Sequence, residues 1–553
     1  MKKTMIYRLF AVCVSLGILT SCDDFFDINS DPNNPTSVTP NLLLTNAEAA
    51  LAGAVGMGNG INRQTSVFMH QVVRRGEGDQ YVTQGNDFSL ATSWQAFYDI
   101  TLPDLEIIIA QESEQGNMVY VGIAKILKAY SFSIIVDIWG DVPFTEATKF
   151  TEVRFPIYDD GETIYPQLLS LIDEGVADLT DSEAVNAAVP AADDLIYGGS
   201  TALWTKFANS LKLKLLYQLQ DVSVVADRDA QINALLADPA TLINGMTEDF
   251  EFWYGSAGPT PENRHGLYVS EYTQANPGFY VSPWLYETMQ GQNLGIFTDL
   301  SDPRVPYYWH KQLLPAEAPE NPFEYLTDDG FLTIHFGSIH PNQASGQQSS
   351  QTVFGLYPCG GFYDDDSGTK INATNGNGVA PERMLPYFKV LYMRAELALA
   401  GISSEDDRQL LSDAVQASFD KVNQMVGGNG QTDVPSIDQE DVDAYLADVL
   451  AEYDAGDDER KLEVILTQKW IASVGNTIDA YTDYRRTGYP VIFDPNNYNG
   501  NYVGANPQNF SALTTAGQGF PVSLPWQQVD LDINPNAPSQ KDPTSYRVFW
   551  DAN

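Results

Sequence analysis

Apolar residues recur at helical spacing between Met118 and Ala147, and this pattern predicts one long buried helix. A first apolar stripe is followed by a second apolar face; together they contain Ile123, Ile126, Leu127, Tyr130, Phe132, Ile134, Ile135 and Ile138. A helix with two apolar faces is expected to be covered on two sides. Two lysines, a serine and an aspartate interrupt the run too often for a membrane span. The helix should end at Trp139-Gly140-Asp141-Val142-Pro143, because Gly is permissive there and Pro cannot continue a helix.

Similar periodicity predicts further helices along most of the chain. They cover residues 41–54, 93–109, 161–179, 204–219, 386–400, 410–426, 442–453 and 461–480. Between residues 250 and 365, Gly and Pro punctuate a stretch rich in aromatic residues, which favours long loops with short helices over a second regular domain. We therefore expect an all-α fold, in which paired helices are interrupted by one aromatic loop region.

Charge and composition restrict the possible functions. The 553 residues include 30 basic and 73 acidic side chains, a formal net charge of −43, while 43% of the residues are hydrophobic. A large core is therefore possible, but nucleic acid is a poor partner, because phosphate backbones require Lys and Arg. The same charge disfavours adsorption to an anionic membrane surface. The three cysteines at positions 13, 22 and 359 form neither a disulfide framework nor a metal motif.

The N-terminus predicts export and lipidation. Three basic residues precede the apolar run from Leu9 to Leu19, which has the length of a signal peptide. The run ends in Leu19-Thr20-Ser21-Cys22, which resembles a lipobox, so residues 1–21 are expected to be removed and Cys22 to carry acyl chains such as palmitate. The alternative is an ordinary secretory peptide with a coincidental cysteine. Asp23 and Asp24 resemble the acidic export signal of surface-exposed lipoproteins in Bacteroidetes-type cells, and residues 22–40 should form a flexible tether.

Several stretches, in this order, resemble the SusD/RagB family of outer-membrane lipoproteins, and in particular its SusD-like branch. They are the opening CDDFFDINSDPNNPT, Tyr120–Ala147, Asp194–Leu216, Asp302-Pro303-Arg304, Pro386–Gly401 and Gln468–Pro490. The extreme C-terminus departs from the family, which often has an R-x-x-Y-P-x-x-E run where residues 524–530 read LPWQQVD here. Contacts that the family makes through that run are therefore not expected in this chain.

The resemblance implies a fold of tetratricopeptide-like helix pairs whose loops carry the ligand site. It also implies capture of an extracellular glycan or a peptide, without catalysis, and delivery to a TonB-dependent (SusC-like) transporter in the outer membrane. On this basis residues 41–553 form a single domain. Its helical scaffold covers about residues 41–230 and 382–490, a loop-rich insertion about 231–381, and an irregular stretch 491–553.

Candidate ligand-binding residues are aromatic side chains in loop-like sequence, because flat rings stack on sugar rings. They are Tyr81, Trp253, Tyr254, Tyr272, Trp284 and Tyr363. For each of them, packing under a loop is the alternative, and only a subset is expected to form the binding platform. Four tryptophans at helical spacing are assigned instead to the core, namely Trp94, Trp139, Trp204 and Trp470.

Three other features have both a functional and a structural interpretation. Asp364 and Asp366 belong to an acidic, Gly-containing loop whose oxygen ligands would suit a structural calcium ion, although a solvated acidic turn is the alternative. Cys359 has no neighbouring base in the sequence and is expected to be inert. Arg485-Arg486 could bind acidic groups of a ligand, but in so acidic a chain they are expected to pair with carboxylates.

Catalytic motifs give little support to an enzyme. The five histidines form no H-E-x-x-H or comparable pair, and the chain has neither a G-x-S-x-G elbow nor a P-loop. With 73 acidic residues, coincidental carboxylate pairs carry no information about glycoside cleavage. A secreted glycoside hydrolase and a helical adaptor that binds only protein remain the competing hypotheses.

Overall fold

The computed structural model describes residues 38–75, 79–83, 85, 87–149, 152–274, 278–321, 323–337, 348–493 and 519–552. The predicted signal peptide, the lipidation site Cys22 and almost all of the tether lie outside these residues.

The chain is mostly helical, as predicted. Eighteen α-helices are described: α1 Pro40–Val55, α2 Asn62–Phe68, α3 Phe88–Gln95, α4 Leu102–Gln115, α5 Met118–Trp139, α6 Gly161–Leu179, α7 Thr201–Gln218, α8 Arg228–Leu236, α9 Gly266–Tyr268, α10 Pro283–Met289, α11 Val305–Tyr308, α12 Leu356–Cys359, α13 Tyr387–Leu399, α14 Asp407–Gly428, α15 Gln439–Ala455, α16 Asp458–Ala472, α17 Ile478–Thr487 and α18 Gln528–Ile533. Two short 3₁₀-helices, Pro239–Thr241 and Met246–Glu248, and two π-helical turns, Ala96–Thr101 and Val269–Thr273, complete the helical part.

In the described residues, short strands pair in four antiparallel two-stranded sheets. The strands are β1 Val72–Arg74, β2 Phe250–Trp253, β3 Phe279–Val281, β4 Trp309–His310, β5 Tyr325–Leu326, β6 Leu332–Thr333, β7 Val353–Phe354 and β8 Pro381–Leu385. The pairs are β1 with β3, β2 with β8, β4 with β7, and β5 with β6. Most strands lie in the predicted aromatic loop region, and the β2–β8 pair joins that region to the start of α13.

Helix α5 is the central scaffold element. It packs most extensively against α6 and also against α4, so that both predicted apolar faces are covered. By length and composition it is the one helix in the described ranges that could cross a membrane, but 89% of its most apolar window is buried inside the fold. Burial of this kind is that of a core helix.

The Trp139-Gly140-Asp141 turn ends α5, as predicted, and anchors the C-terminal segment. Gly140 has φ +75°, and a Cβ there would lie 2.7 Å from the ring of Tyr546, so only glycine fits. The Asp141 carboxylate accepts hydrogen bonds from the backbone N–H of Gly161 (3.0 Å) and the hydroxyl of Tyr546 (2.7 Å). The turn therefore connects the end of α5, the start of α6 and the end of the chain.

Most predicted helices are confirmed, and α6 has the predicted bounds. The helix predicted over residues 93–109 is confirmed and contains a π-helical turn, Ala96–Thr101. One prediction of continuous helix is wrong. The helix predicted over residues 461–480 is broken between α16 and α17, where Gly475 has φ +95°. At that break the side-chain carbonyl of Asn62 accepts the backbone N–H of Thr477 (2.8 Å), a tertiary hydrogen bond that replaces a helical one.

Trp94, Trp139, Trp204 and Trp470 are buried, which confirms their assignment to the core. Arg486 is also buried and pairs with Glu396 (2.5 Å) and Asp483 (3.4 Å), as expected in so acidic a chain. Arg485 instead stacks over Tyr481 and Trp550 and donates to the carbonyl of Val522.

The thiol of Cys359 is buried and donates to the carbonyl of Gly355. Burial raises the pKa of this thiol, so it stays protonated and unreactive, as the sequence predicted.

Candidate functional site

Three of the six predicted aromatic ligand residues are covered by the fold. Tyr81 bonds to His70 Nε2 through its hydroxyl (2.8 Å) and is 3% exposed. Tyr272 stacks on Tyr268 with ring centroids 4.8 Å apart, and Trp284 is 5% exposed. The faces of these rings are not available to a ligand in this structure, so packing under a loop, the alternative interpretation, describes their surroundings.

The other three aromatic residues reach the surface. Trp253, the last residue of β2, is 38% exposed and donates its indole N–H to Glu251 (2.8 Å). Tyr254 and Tyr363 are partly buried and line two separate clefts. The structure therefore does not bring the six residues together into one platform.

Tyr363 shares its cleft of about 480 Å³ with the acidic loop for which we predicted calcium. The ammonium group of Lys311 lies 2.8 Å from Asp366 and 3.7 Å from Asp364, so it pairs with both carboxylates and offsets part of their charge. Within the described ranges, no group of three or more His, Cys, Asp or Glu side chains could hold a metal ion. Calcium stays a prediction from the sequence, while the geometry favours an acidic turn that is paired with a lysine.

The larger cleft, of about 660 Å³, is the candidate functional site. Its wall is formed by the end of α1 and the glycine-rich turn after it, by the segment that follows β2, and by Glu382 of β8. The lining residues with polar or aromatic side chains are Asn59, Arg63, Thr92, Tyr254, Glu262, Arg264, His265, Ser270, Gln274 and Glu382. We call this space the Tyr254 cleft.

Both π-helical turns of the described chain contribute to the Tyr254 cleft. Ala96 and Ile100 come from the first turn, and Val269 and Ser270 from the second. A π-turn carries one extra residue per turn and weaker backbone bonding than an α-helix, and such turns occur frequently at functional sites. Because both turns line the same cleft, irregular helix geometry supports it as a candidate functional site.

Glycine allows two segments to meet at the edge of the Tyr254 cleft. A Cβ built on Gly58, in the turn between α1 and α2, would lie 2.8 Å from the Cα of Gly266. That distance is shorter than any real carbon contact, so the two backbones touch only because both residues lack side chains. The close approach brings the turn after α1 against the loop that carries Glu262 and Arg264.

Charged groups in the cleft are held in fixed positions. The Arg264 guanidinium donates to both oxygens of Glu262 (2.7 and 2.6 Å), and these bonds lower the pKa of the Glu262 carboxyl. The side chain of Arg264 also passes over the ring of Tyr268, 5.4 Å from its centroid. A bidentate pair of this kind has a defined direction, which suits the recognition of hydroxyl groups on a ligand.

His265 and Glu382 form a second polar pair at the buried end of the cleft. His265 Nδ1 accepts the backbone N–H of Leu267, so Nε2 carries the ring proton and faces Glu382 at 3.5 Å. The other oxygen of Glu382 accepts from the amide of Asn476 (2.7 Å). The ring of Tyr254 packs edge-on against His265, with centroids 5.1 Å apart, and burial raises the pKa of its phenol. Tyr254 therefore keeps its hydroxyl proton and can donate it in a hydrogen bond.

Sequence patterns predict Tyr254 as a ligand residue but not the charged residues around it. Arg63, Glu262, Arg264 and His265 come from segments without a strong pattern. One signal was present, namely the glycines at 53, 56, 58 and 60, at the end of a predicted helix and directly after it, since so many small residues indicate close backbone approach. The contact with residues 254–266, however, is a tertiary one.

Comparisons with known proteins agree on one family. The family model SusD-like, described as "Starch-binding associating with outer membrane", matches residues 32–510. Among solved structures, a chitin-binding protein is similar with a TM-score of 0.68 and 21% identity, over 93% of this chain and 100% of that one. A SusD/RagB family protein from Bacteroides thetaiotaomicron has a TM-score of 0.65 and 20% identity, over 93% and 99% of the two chains.

A SusD homologue from Bacteroides fragilis is similar at the same level, with a TM-score of 0.65 and 18% identity over 93% of this chain and 99% of that one. A search of curated protein sequences found no match. At these identities the solved structures establish the fold, and they agree with the helical architecture predicted from the sequence.

Proposed function

The chain belongs to the SusD-like family of outer-membrane-associated nutrient-binding proteins, and from this we propose that it is a surface-exposed lipoprotein that binds an extracellular glycan and delivers it to a partner TonB-dependent transporter. The observation that carries the proposal is the family match over residues 32–510. The Tyr254 cleft supports it, since it combines an aromatic ring with fixed donors and acceptors, the combination that binds sugars.

Binding without catalysis is part of the proposal. A glycoside hydrolase needs one carboxyl with a raised pKa as acid and a second carboxylate as base or nucleophile. In the Tyr254 cleft, bonds from Arg264 lower the pKa of Glu262, which is opposite to what an acid catalyst needs. Glu382 is 1% exposed and already accepts from Asn476. Both carboxylates of the cleft are thus used to hold its shape.

The binding function is tested with the full chain purified in detergent. Isothermal titration against panels of oligosaccharides and oligopeptides should show binding of an oligosaccharide, and chromatography after long incubation should recover it unchanged. Product formation would contradict the proposal in favour of a hydrolase. Binding of peptides alone would favour the alternative, an oligopeptide carrier of the same kind of transporter.

Replacement of each partly exposed tyrosine tests which cleft binds the ligand. We expect Tyr254→Ala to weaken oligosaccharide binding about tenfold, the equivalent of about 1.4 kcal/mol. Tyr363→Ala is the matched control, because that ring is also partly buried but lines the other cleft. If only Tyr363→Ala weakened binding, the candidate site would be assigned to the wrong cleft.

Membrane attachment and the transporter are tested in cells. Wild-type protein should incorporate labelled palmitate and fractionate with the outer membrane, whereas Cys22→Ala should do neither. Cross-linking of intact cells followed by mass spectrometry should recover a TonB-dependent transporter with the wild-type chain. Recovery of other proteins without a transporter would favour the adaptor hypothesis instead.

A further inference from the structure

The Tyr254 cleft contains a cationic side chain, Arg63, that has no carboxylate in direct contact among the described residues. The guanidinium of Arg63 donates one long hydrogen bond, to the carbonyl of Gly58 (3.4 Å), and its Cζ lies 4.6 Å above the ring centroid of Phe279. In the described residues it makes no ion pair within 4.0 Å. A guanidinium has five N–H donors, so most of the hydrogen-bonding capacity of Arg63 is unused.

Arg264, the other arginine of the same cleft, has the opposite surroundings. Both oxygens of Glu262 accept hydrogen bonds from its guanidinium, so the charges of the two side chains offset each other. The cleft therefore contains one arginine, Arg264, that forms an ion pair, and a second, Arg63, whose guanidinium has no carboxylate within 4.0 Å in the described residues.

Two carboxyl groups, Asp87 and Glu271, interact electrostatically with Arg63, but neither lies within 4.0 Å of its guanidinium. Burial raises the pKa of Glu271 to about 8, with Arg63 and Arg75 acting in the opposite direction, so this carboxyl is mostly neutral at pH 7. Burial lowers the pKa of Arg63, opposed by Asp87 and Glu271, but an arginine stays protonated at this pH. A partly buried cation without a carboxylate in direct contact is unfavourable, and an anionic ligand group in contact with it would reduce this cost.

Space for such a group exists beside the guanidinium. A Cβ built on Gly278 would lie 3.4 Å from Nη2 of Arg63 and 3.6 Å from the hydroxyl oxygen of Ser270. Glycine at this position therefore leaves open the volume next to Arg63 and Ser270. The hydroxyl of Ser270 adds a neutral donor beside the charged one.

We propose that Arg63 binds a carboxylate of the ligand, so that the captured glycan contains a uronic-acid-type sugar. The inference rests on the proposed function, because it specifies the ligand of the same cleft. A planar carboxylate fits the guanidinium fork with two parallel hydrogen bonds. The net charge of −43 opposes a polyanion, although screening limits this repulsion to about 8 Å at physiological ionic strength. An oligosaccharide with isolated carboxylates therefore fits better than a continuous polyuronate.

The experiment compares acidic oligosaccharides with their neutral counterparts on the full chain. Each probe is an oligosaccharide with a single uronic acid, paired with the same molecule after reduction of its carboxyl to a primary alcohol. For at least one pair, titration should show about tenfold tighter binding of the acid form. In Arg63→Gln this ratio should fall to about one.

Two further variants separate recognition from folding. Arg154→Gln is the matched control, because Arg154 is exposed, has no ion pair in the described residues and also lies over a phenylalanine ring, but outside the cleft. It should keep the full preference for the acid form. Arg63→Lys retains the charge without the planar fork and should show an intermediate preference, which gives a second test if Arg63→Gln melts early.

The possible outcomes distinguish this inference from the function on which it rests. Equal binding of acidic and reduced forms would overturn the role of Arg63 and leave glycan capture intact. Tighter binding of sulfated than of carboxylated probes, lost in Arg63→Gln, would overturn the carboxylate assignment. Failure of every saccharide to bind would overturn the proposed function, and the inference with it.

Discussion

Two tryptophans that the sequence treats alike should respond in opposite ways to truncation. Trp284 is 5% exposed, and its indole N–H donates to the carbonyl of Val491 at 3.3 Å. Replacement of a buried Trp by Ala removes apolar contacts and leaves a cavity, which costs about 3–5 kcal/mol. We therefore expect Trp284→Ala to lower the free energy of unfolding by about this amount.

Trp253→Ala should have little effect on stability. Its side chain is 38% exposed, and surface substitutions usually change stability by about 0.5 kcal/mol or less. The hydrogen bond from Trp253 to Glu251 is lost, but Glu251 keeps its ion pair with the buried ammonium of Lys421 (2.6 Å). No buried charge is left without a partner, so we expect a loss below about 1 kcal/mol.

Urea denaturation followed by far-ultraviolet circular dichroism measures both variants, with oligosaccharide titration on the same samples. Reduced binding by Trp284→Ala identifies a ligand contact only if the variant is as stable as the wild type, because loss of the fold would also reduce binding. A Trp284→Ala protein with wild-type stability and lost binding would refute the reasoning, because the ring would then be a binding platform. A large loss of stability in Trp253→Ala would refute it equally.

Three further predictions concern buried charge, backbone contact and pH. Arg304→Met should cost about 3–5 kcal/mol in the same denaturation assay, because it leaves the buried carboxylate of Asp302, 2.5 Å from the guanidinium, without its partner. Gly58→Ala should lower oligosaccharide affinity in titration, since its Cβ would lie 2.8 Å from the backbone opposite. The pKa of Glu271 rises from 4.5 to about 8 in the fold, so the wild type loses stability as pH rises through this range. Glu271→Gln lacks this carboxyl, and its melting temperature should therefore rise relative to that of the wild type between pH 5 and pH 9.

Each of these predictions has a control. The double variant Asp302→Asn with Arg304→Met should recover most of the lost stability, and a double as unstable as the single would contradict the ion-pair argument. Gly427→Ala should bind normally, because a Cβ there meets nothing within 4 Å. A melting-temperature difference between Glu271→Gln and wild type that did not change with pH would show that this carboxyl does not titrate in the range.

The helical scaffold could be predicted from the sequence because its stability comes from local periodicity and the burial of apolar faces. Gly161–Leu179 has the predicted bounds, and Met118–Trp139 ends at the predicted glycine. The departures occur where a tertiary contact replaces a local one. The side chain of Asn62 supplies a hydrogen bond at the break before α17, and no pattern within residues 461–480 contains that information.

The aromatic residues of the loop region show why loop-like sequence does not imply exposure. A segment rich in Gly and Pro forms few helices that could cover it, so its own aromatic rings must supply the apolar core beneath it. Tyr272 and Trp284 are used in this way and are at most 5% exposed. Rings stay accessible where a strand ends and no further layer covers them, as at Trp253 and Tyr254 after β2.

The chemistry of the Tyr254 cleft depends on segments that are distant along the chain. Arg63 follows α1, Arg264 and His265 lie about two hundred residues later, and Glu382 belongs to β8. Each of these residues is unremarkable in its own segment, because an isolated arginine or glutamate most often lies on a solvated surface. Only their convergence distinguishes the contact pair of Arg264 and Glu262 from Arg63, which has no carboxylate within 4.0 Å in the described residues. If the proposed site binds the ligand, Arg63 is therefore the position at which a single substitution should change the preference for acidic ligands.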